Sequence, residues 1–249
     1  MKPVSITPLV GIPAIAPGDD LARHIGDALV AGTGLRDHDI VVVCQKVVSK
    51  AEGRIVLMSE VVPGEKAVAF AKKYEKNPAL VELSLQEATE VLRMNDGHLI
   101  TATGKGFVAA NSGIDRSNQT NPDEVTLLPL DADASAAELR SRLFARFGAD
   151  VAVVITDTFG RPWRLGQIDF AIGCAGLQVL DDHAGRTDWT GRQLEHTMIA
   201  VADQVAAAGG MLMTKHLGIP AVLIRGFAYV ADEQDAGDLI RPRAQDLFR

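Results

Sequence analysis

The side chains best suited to chemistry cluster in one stretch, positions 151–176, VAVVITDTFGRPWRLGQIDFAIGCAG. Five apolar, mostly β-branched residues at 151–155 read as a buried strand. They give way to Thr156, Asp157 and Thr158. A carboxylate and two hydroxyls thus stand where a buried strand surfaces, a common place for ligands in sheet proteins. Arg161, Arg164, Gln167 and Asp169 follow, interleaved with Trp163, Phe170 and glycines. A fold does not need that polar density, whereas a site for anions and a metal would use it.

A second carboxylate, Asp115, lies in the polar run NSGIDRSN at 111–118, which also follows a β-like segment. Asp115, Asp157 and Thr158 are hard oxygen donors. They suit Mg²⁺ or Mn²⁺, which keep waters and take phosphate oxygens as further ligands. Lys46 and Lys50, directly after the apolar run 40–44, could balance a triphosphate together with Arg161 and Arg164. The set fits phosphoryl transfer, where catalysis is mostly positioning and charge neutralisation. It makes Asp115, Asp157 and Arg161 the catalytic candidates. Plainer readings stand beside this one. Segment 111–118 could be turn chemistry, Asp157 a turn cap, the two arginines partners of nearby acids, and 45–50 a solvated loop.

The elements that must position these groups follow from patterning. A short strand is expected at 5–10, interrupted by Pro8 and broken by Gly11, Ile12, Pro13 and Ala14. Asp19 and Asp20 open a helix to about Val30, and 40–44 is a second buried strand. Residues 65–74 and 78–94 read as helices, and 98–110 as a hairpin around Gly104, Lys105 and Gly106. Ser135 to Glu138 matches a capping box, starting a helix that Gly148 ends. A long helix is expected from about Arg192 to Met213, weakened by Gly209 and Gly210. A last buried strand spans 219–227, and the charged tail at 232–249 forms a peripheral helix or loop. The expected fold is therefore α+β, because the hairpin breaks any simple βαβ series.

Composition narrows the function classes. The 249 residues allow one large domain or two small ones, with ample length for a core. A net charge of −7 argues against a general binder of nucleic acid or anionic membranes, but not against a local basic pocket. Cys44 and Cys174 lie in apolar runs and read as reduced core residues of a cytoplasmic protein. No signal-peptide pattern is evident at the start. No apolar run reaches the roughly 18 residues of a membrane span. GxxxxGK(S/T), GxGxxG and GxSxG motifs are absent, and the histidines are scattered without an HExxH.

Five pieces, in order along nearly the whole chain, carry a resemblance. They are GIPAI with PGDDL at 11–21, VVVCQKVVSKAEGR at 41–54, NSGIDRSN at 111–118, ITDTFGRPWRLGQIDFAIG at 155–173, and IPAVLIRGF at 219–227. The chain resembles the GTP-dependent coenzyme F-420 γ-glutamyl ligases. RLGQIDFAIG and the DLIRPRAQDLF tail look closer to the ligase domain of the bacterial two-domain form than to archaeal single-domain forms. The resemblance implies a family-specific α+β fold in an intertwined homodimer, with residues 1–249 as one ligase unit and a subdivision into two subdomains left open. It implies addition of L-glutamate through γ-linkages to the deazaflavin F-420-0, with GTP consumed to GDP and phosphate through an acyl phosphate. It also implies Mg²⁺ or Mn²⁺, with K⁺ helping. Asp115 and Asp157 then look like ligands of a first metal and Thr158 of a second. Ile12, Pro13, Ala14, Ile15, Gln45, Lys46, Lys50 and Asn118 fall where the family holds GTP.

There are departures. Archaeal members carry Ser-Thr where Gln45 and Lys46 stand, and a glycine-rich acidic stretch where positions 213–218, MTKHLG, have no carboxylate. The second departure implies one tightly held metal, with Lys215 or a backbone carbonyl in place of the acid, or a changed acceptor or nucleotide. A same-fold ligase with another acceptor or amino acid, and a non-catalytic nucleotide- or deazaflavin-binding protein, are the competing expectations.

Overall fold

The structure is a computed structural model and describes residues 3–246. Its centre is a five-stranded sheet of β1 (Ser5–Pro8), β2 (Ile40–Cys44), β8 (Ala152–Arg161), β9 (Arg164–Ala175) and β12 (Ala221–Arg225). The order is β1-β12-β2-β8-β9. Strands β2 and β8 run parallel, and the other neighbours are antiparallel. Ile40 to Val43 and Ala152 to Ile155 are completely buried, which explains why both strands read as unbroken apolar runs rather than alternating ones.

Helices cover this sheet. Helix α1 (Leu21–Ala31) starts at Asp20, whose carboxylate accepts from the Arg23 N–H, and α2 (Gln45–Ala51) leaves β2 without a connecting loop. Helix α5 (Ala132–Phe147) packs on β8 and β9, and α6 (Val201–Gly210) on β9 and β2. Gly173 of β9 lets α5 come close. A methyl group there would lie 2.3 Å from the Ala132 carbonyl oxygen, which is backbone and cannot step aside. Gly173→Ala is expected to destabilise the protein by about 2–3 kcal/mol through overpacking. An unchanged denaturant midpoint would contradict that packing.

A second layer comprises α3 (Glu65–Tyr74), α4 (Pro78–Gln86), the pair β3 (Ile55–Leu57) and β7 (Glu124–Thr126), and a three-stranded sheet of β4 (Glu90–Asn95), β5 (His98–Ala102) and β6 (Val108–Ala110). It has cores of its own, one around Met58, Leu83 and Val125, the other around Phe70, Val81 and Leu99. Strands β10 (Leu180–Asp182) and β11 (Met198–Ala200) form a separate antiparallel ribbon. The class is α+β, as expected. Among the described residues no helix is long and apolar enough to cross a membrane.

Four local expectations are corrected. The helix expected over 78–94 ends at Gln86; Glu90–Asn95 is instead β4, with alternating burial and antiparallel pairing to β5. The helix expected from Arg192 is confined to Val201–Gly210, because Met198–Ala200 pairs with β10. Ser135 does not cap α5. Asp131 does, accepting from the Ala134 N–H at 3.1 Å, while the Ser135 hydroxyl bonds back to the Asp131 carbonyl. The strand expected to stop before Thr156 continues to Arg161 and turns at Pro162 and Trp163 into β9. In the three cases other than the cap, pairing with a neighbouring strand outweighs local periodicity. Positions 247–249 of the expected peripheral tail lie outside the described residues.

Candidate active site

The parallel pairing of β2 with β8 sets the site. Its last rung joins Cys44 to Thr156. Chain leaving β2 turns at once into α2, so Gln45, Lys46 and Lys50 are brought beside Asp157 and Thr158. Asp115 arrives from the second layer, fixed by a two-way backbone bridge with Thr126 (both bonds 2.9 Å). Residues 213–220, between α6 and β12, form another wall. These segments and the 12–15 loop enclose a cavity of ≈ 520 Å³.

Ile12, Pro13, Ala14, Ile15, Gln45, Lys46, Lys50, Asp115, Asn118, Asp157 and Thr158 all line this cavity. Arg161 does not. It stands at the β8–β9 hairpin tip, where its Nη2 donates to the Leu165 carbonyl at 3.2 Å. The extension of β8 beyond Thr156 is what carries it away. Arg164, paired with it across the turn, is likewise absent from the cavity wall, where the basic side chains are instead Lys46, Lys50, Lys215 and His216.

Asp115 is a held carboxylate. Its Oδ1 accepts from the Ser117 N–H at 2.7 Å and its Oδ2 lies 3.0 Å from Lys46 Nζ. Burial pushes its acidity the other way, but the Ser117 N–H and Lys46 prevail and hold it below the ordinary carboxylate range. Lys46 also donates to the Ser117 hydroxyl. Asp157 is the opposite case. Burial, chiefly, with repulsion from Asp115 and Asp169, pushes its carboxyl up to about 7. Asp169 is raised too, mainly by burial. The Thr158 hydroxyl donates to Asp169 Oδ1 at 2.7 Å, so its proton is committed while its oxygen lone pairs stay available. Thr156 Oγ1 on the cavity wall is buried without a partner among the described residues. Lys50 Nζ donates to the Asn118 carbonyl at 2.8 Å, and burial lowers its basicity.

Two groups here were not among the candidates. Asp169 belongs to the cavity because the hairpin register places it across from Thr158. Gly210 at the end of α6 lets that helix reach it: a methyl group there would lie 2.4 Å from Asp169 Oδ2. Read from sequence, that glycine is only a weak point in a helix. The 213–220 segment has no chemical signature apart from Lys215 and His216. Cys44 lines the cavity as well, but burial pushes its thiol up, which disfavours a thiolate nucleophile.

The family model described as F420-0:Gamma-glutamyl ligase matches residues 10–226, a span that takes in every wall of this cavity. The chain belongs to that family. Its relatives include the coenzyme F420:L-glutamate ligase of Methanothermobacter thermautotrophicus, 41% identical over 250 residues that cover 99% of both chains. The Archaeoglobus fulgidus protein of that name is 40% identical, over 99% of this chain and 96% of the relative. The Methanopyrus kandleri one is 39% identical, over 94% and 93%.

Proposed function

We propose that this protein is a GTP-dependent ligase that adds L-glutamate through γ-linkages to the deazaflavin F-420-0, releasing GDP and phosphate by way of an acyl phosphate. The observation that carries this reading is a ligase-family cavity with oxygen donors at one end and lysines around it. Asp157 is half-buried, shares the cavity with two further carboxylates, and has no ion pair among the described residues. With the unpartnered Thr156 hydroxyl beside it, this is a donor set short of positive charge. Mg²⁺ or Mn²⁺ fits that deficit. Asp115, Asp157 and Thr158 would hold it, and since among the described residues no three acidic, cysteine or histidine side chains are placed to hold an ion by themselves, waters and phosphate oxygens would complete the shell. A divalent ion so bound neutralises charge on the transferring phosphoryl group.

The chain's own groups then divide the remaining work. Lys46, fixed by Asp115 and Ser117, and Lys50, fixed by Asn118, present ammonium groups to the phosphates. Gln45 is buried and locked by the Ser49 hydroxyl, which donates to its Oε1 at 2.8 Å, giving the wall of the nucleotide pocket a set shape. The 12–15 loop closes the other side. Asp157 must shed its proton for the donor set to assemble, so activity should rise with pH toward 8. K⁺ as an activator and a homodimer belong to the same reading.

Mass spectrometry of a reaction containing protein, GTP, Mg²⁺, L-glutamate and F-420-0 tests it. Products heavier by successive glutamyl groups, with GDP formed and nothing made without GTP, are expected. Turnover with another acceptor or amino acid only would reject the substrate assignment. GTP binding with no product from any acceptor would reject the ligase.

A further inference from the structure

The cavity contains three lysines, and one is held unlike the others. Lys46 is buried, with its ammonium 3.0 Å from Asp115 Oδ2. Lys50 is tied to the Asn118 carbonyl. Lys215 reaches the same Asp115 oxygen only to 3.8 Å, beyond hydrogen-bond range, and its side chain is 58% exposed. Its main chain, by contrast, is anchored: Asn118 Nδ2 donates to the Lys215 carbonyl at 3.0 Å. A fixed backbone thus carries a compact charge on a flexible four-carbon stem.

The placement of that charge is specific. Asp115 already has a closer cation in Lys46, whereas Asp157 and Asp169 form no ion pair among the described residues. Lys215 is the second cation on Asp115 and shares the cavity wall with Asp157 and Asp169. A loosely held ammonium at this point eases the repulsion within the carboxylate cluster without filling a ligand position. Once a divalent ion takes the carboxylates, two positive charges compete for one place. The exposed, jointed one moves, and the strongest nearby anion is a nucleotide phosphate.

We propose that Lys215 is a tethered counter-cation, neutralising the carboxylate cluster in the metal-free protein and shifting to the terminal phosphate of the nucleotide when a divalent ion binds. This rests on the reading of the cavity as a metal–nucleotide site.

The test is Mn²⁺ binding to the nucleotide-free protein, followed by electron paramagnetic resonance, for the parent, Lys215→Met, Lys215→Arg and Asp157→Asn. Lys215→Met should bind Mn²⁺ about three- to tenfold more tightly, the screened effect of removing one competing charge, and Lys215→Arg should match the parent. With Mn²⁺ saturating, Lys215→Met should lose about tenfold in GTP affinity and far less in GDP affinity, because only GTP carries the γ-phosphate. Unchanged or weaker Mn²⁺ binding by Lys215→Met overturns the proposal, as does an equal loss of GTP and GDP. If Asp157→Asn loses Mn²⁺ while Lys215→Met behaves as the parent, only the role of Lys215 fails. If Asp157→Asn binds Mn²⁺ like the parent, the metal reading itself fails.

Discussion

Asp157→Asn is expected to abolish ligation and, in the same protein without metal, to raise thermal stability. The two effects have one origin. Burial, with help from Asp115 and Asp169, lifts the Asp157 carboxyl from 3.8 to about 7. Between those values the folded protein keeps a proton that the unfolded chain has released. Stability of the metal-free protein should therefore decline as pH rises from about 4 to about 7 and then level off. Ionising this group at pH 8 costs the folded state about 2–4 kcal/mol. An asparagine carries no such cost. The variant should gain about 5 °C in melting temperature at pH 8 and almost nothing at pH 4.5. Divalent ions should stabilise the parent at pH 8 and leave the variant unmoved. Activity should fall by at least about a hundredfold, because charge neutralisation of a phosphoryl group contributes several kcal/mol. A variant that kept full activity, or that melted lower than the parent at pH 8 without metal, would remove Asp157 from this role.

The largest expected loss of stability lies away from the site, at the start of the neighbouring strand β2. Asp39 is 1% exposed, immediately before β2. Arg225, at the end of β12, grips it with two prongs, Nε to Oδ1 at 2.8 Å and Nη2 to Oδ2 at 2.6 Å, and the Arg36 N–H adds a third bond at 2.9 Å. Arg225 Nη2 also donates to the Gly34 carbonyl at 2.9 Å, so the pair pins the turn that delivers β2 into the sheet. Arg225→Met leaves a buried carboxylate with no countercharge and is expected to cost about 3–5 kcal/mol. Arg225→Lys should fall between, since one ammonium cannot span both oxygens. Urea unfolding at constant slope measures all three proteins, and removing both partners together should restore part of the loss. A single-variant cost below about 1 kcal/mol, within the range of an exposed pair, would show that the charges are solvated rather than buried.

What could be read from the sequence divides along physical lines. Strands covered on both faces announced themselves as apolar runs, so β2, the first half of β8, and β12 were legible. So was α1, which has its own cap at Asp20. Elements that exist because of a partner elsewhere were not: β4 needs β5, and β11 needs β10. The same divide runs through the site. Asp115, Asp157, Thr158, Lys46 and Lys50 stood out because polar groups directly after apolar runs are conspicuous. Ile12 to Ile15 came only from resemblance, as an apolar turn has no chemical signature. Asp169 was visible among polar neighbours, but its membership depends on the hairpin register that seats it opposite Thr158. Arg161 looked like a phosphate ligand by composition, and the length of β8 carries it out of the cavity.

The cavity wall draws on segments from Ile12 to Pro220, and its two best-placed carboxylates, Asp115 and Asp157, come from different layers of the fold. No short peptide of this chain holds two of the proposed ligands in one local loop apart from the neighbours Asp157 and Thr158. A metal ion therefore has little to grasp in the nascent polypeptide and cannot act as a nucleus for folding, unlike the ions that organise small zinc modules. On the proposed metal–nucleotide reading, loading would come after the long-range contacts are complete, and a chain stalled part-way would neither sequester the ion nor turn over nucleotide.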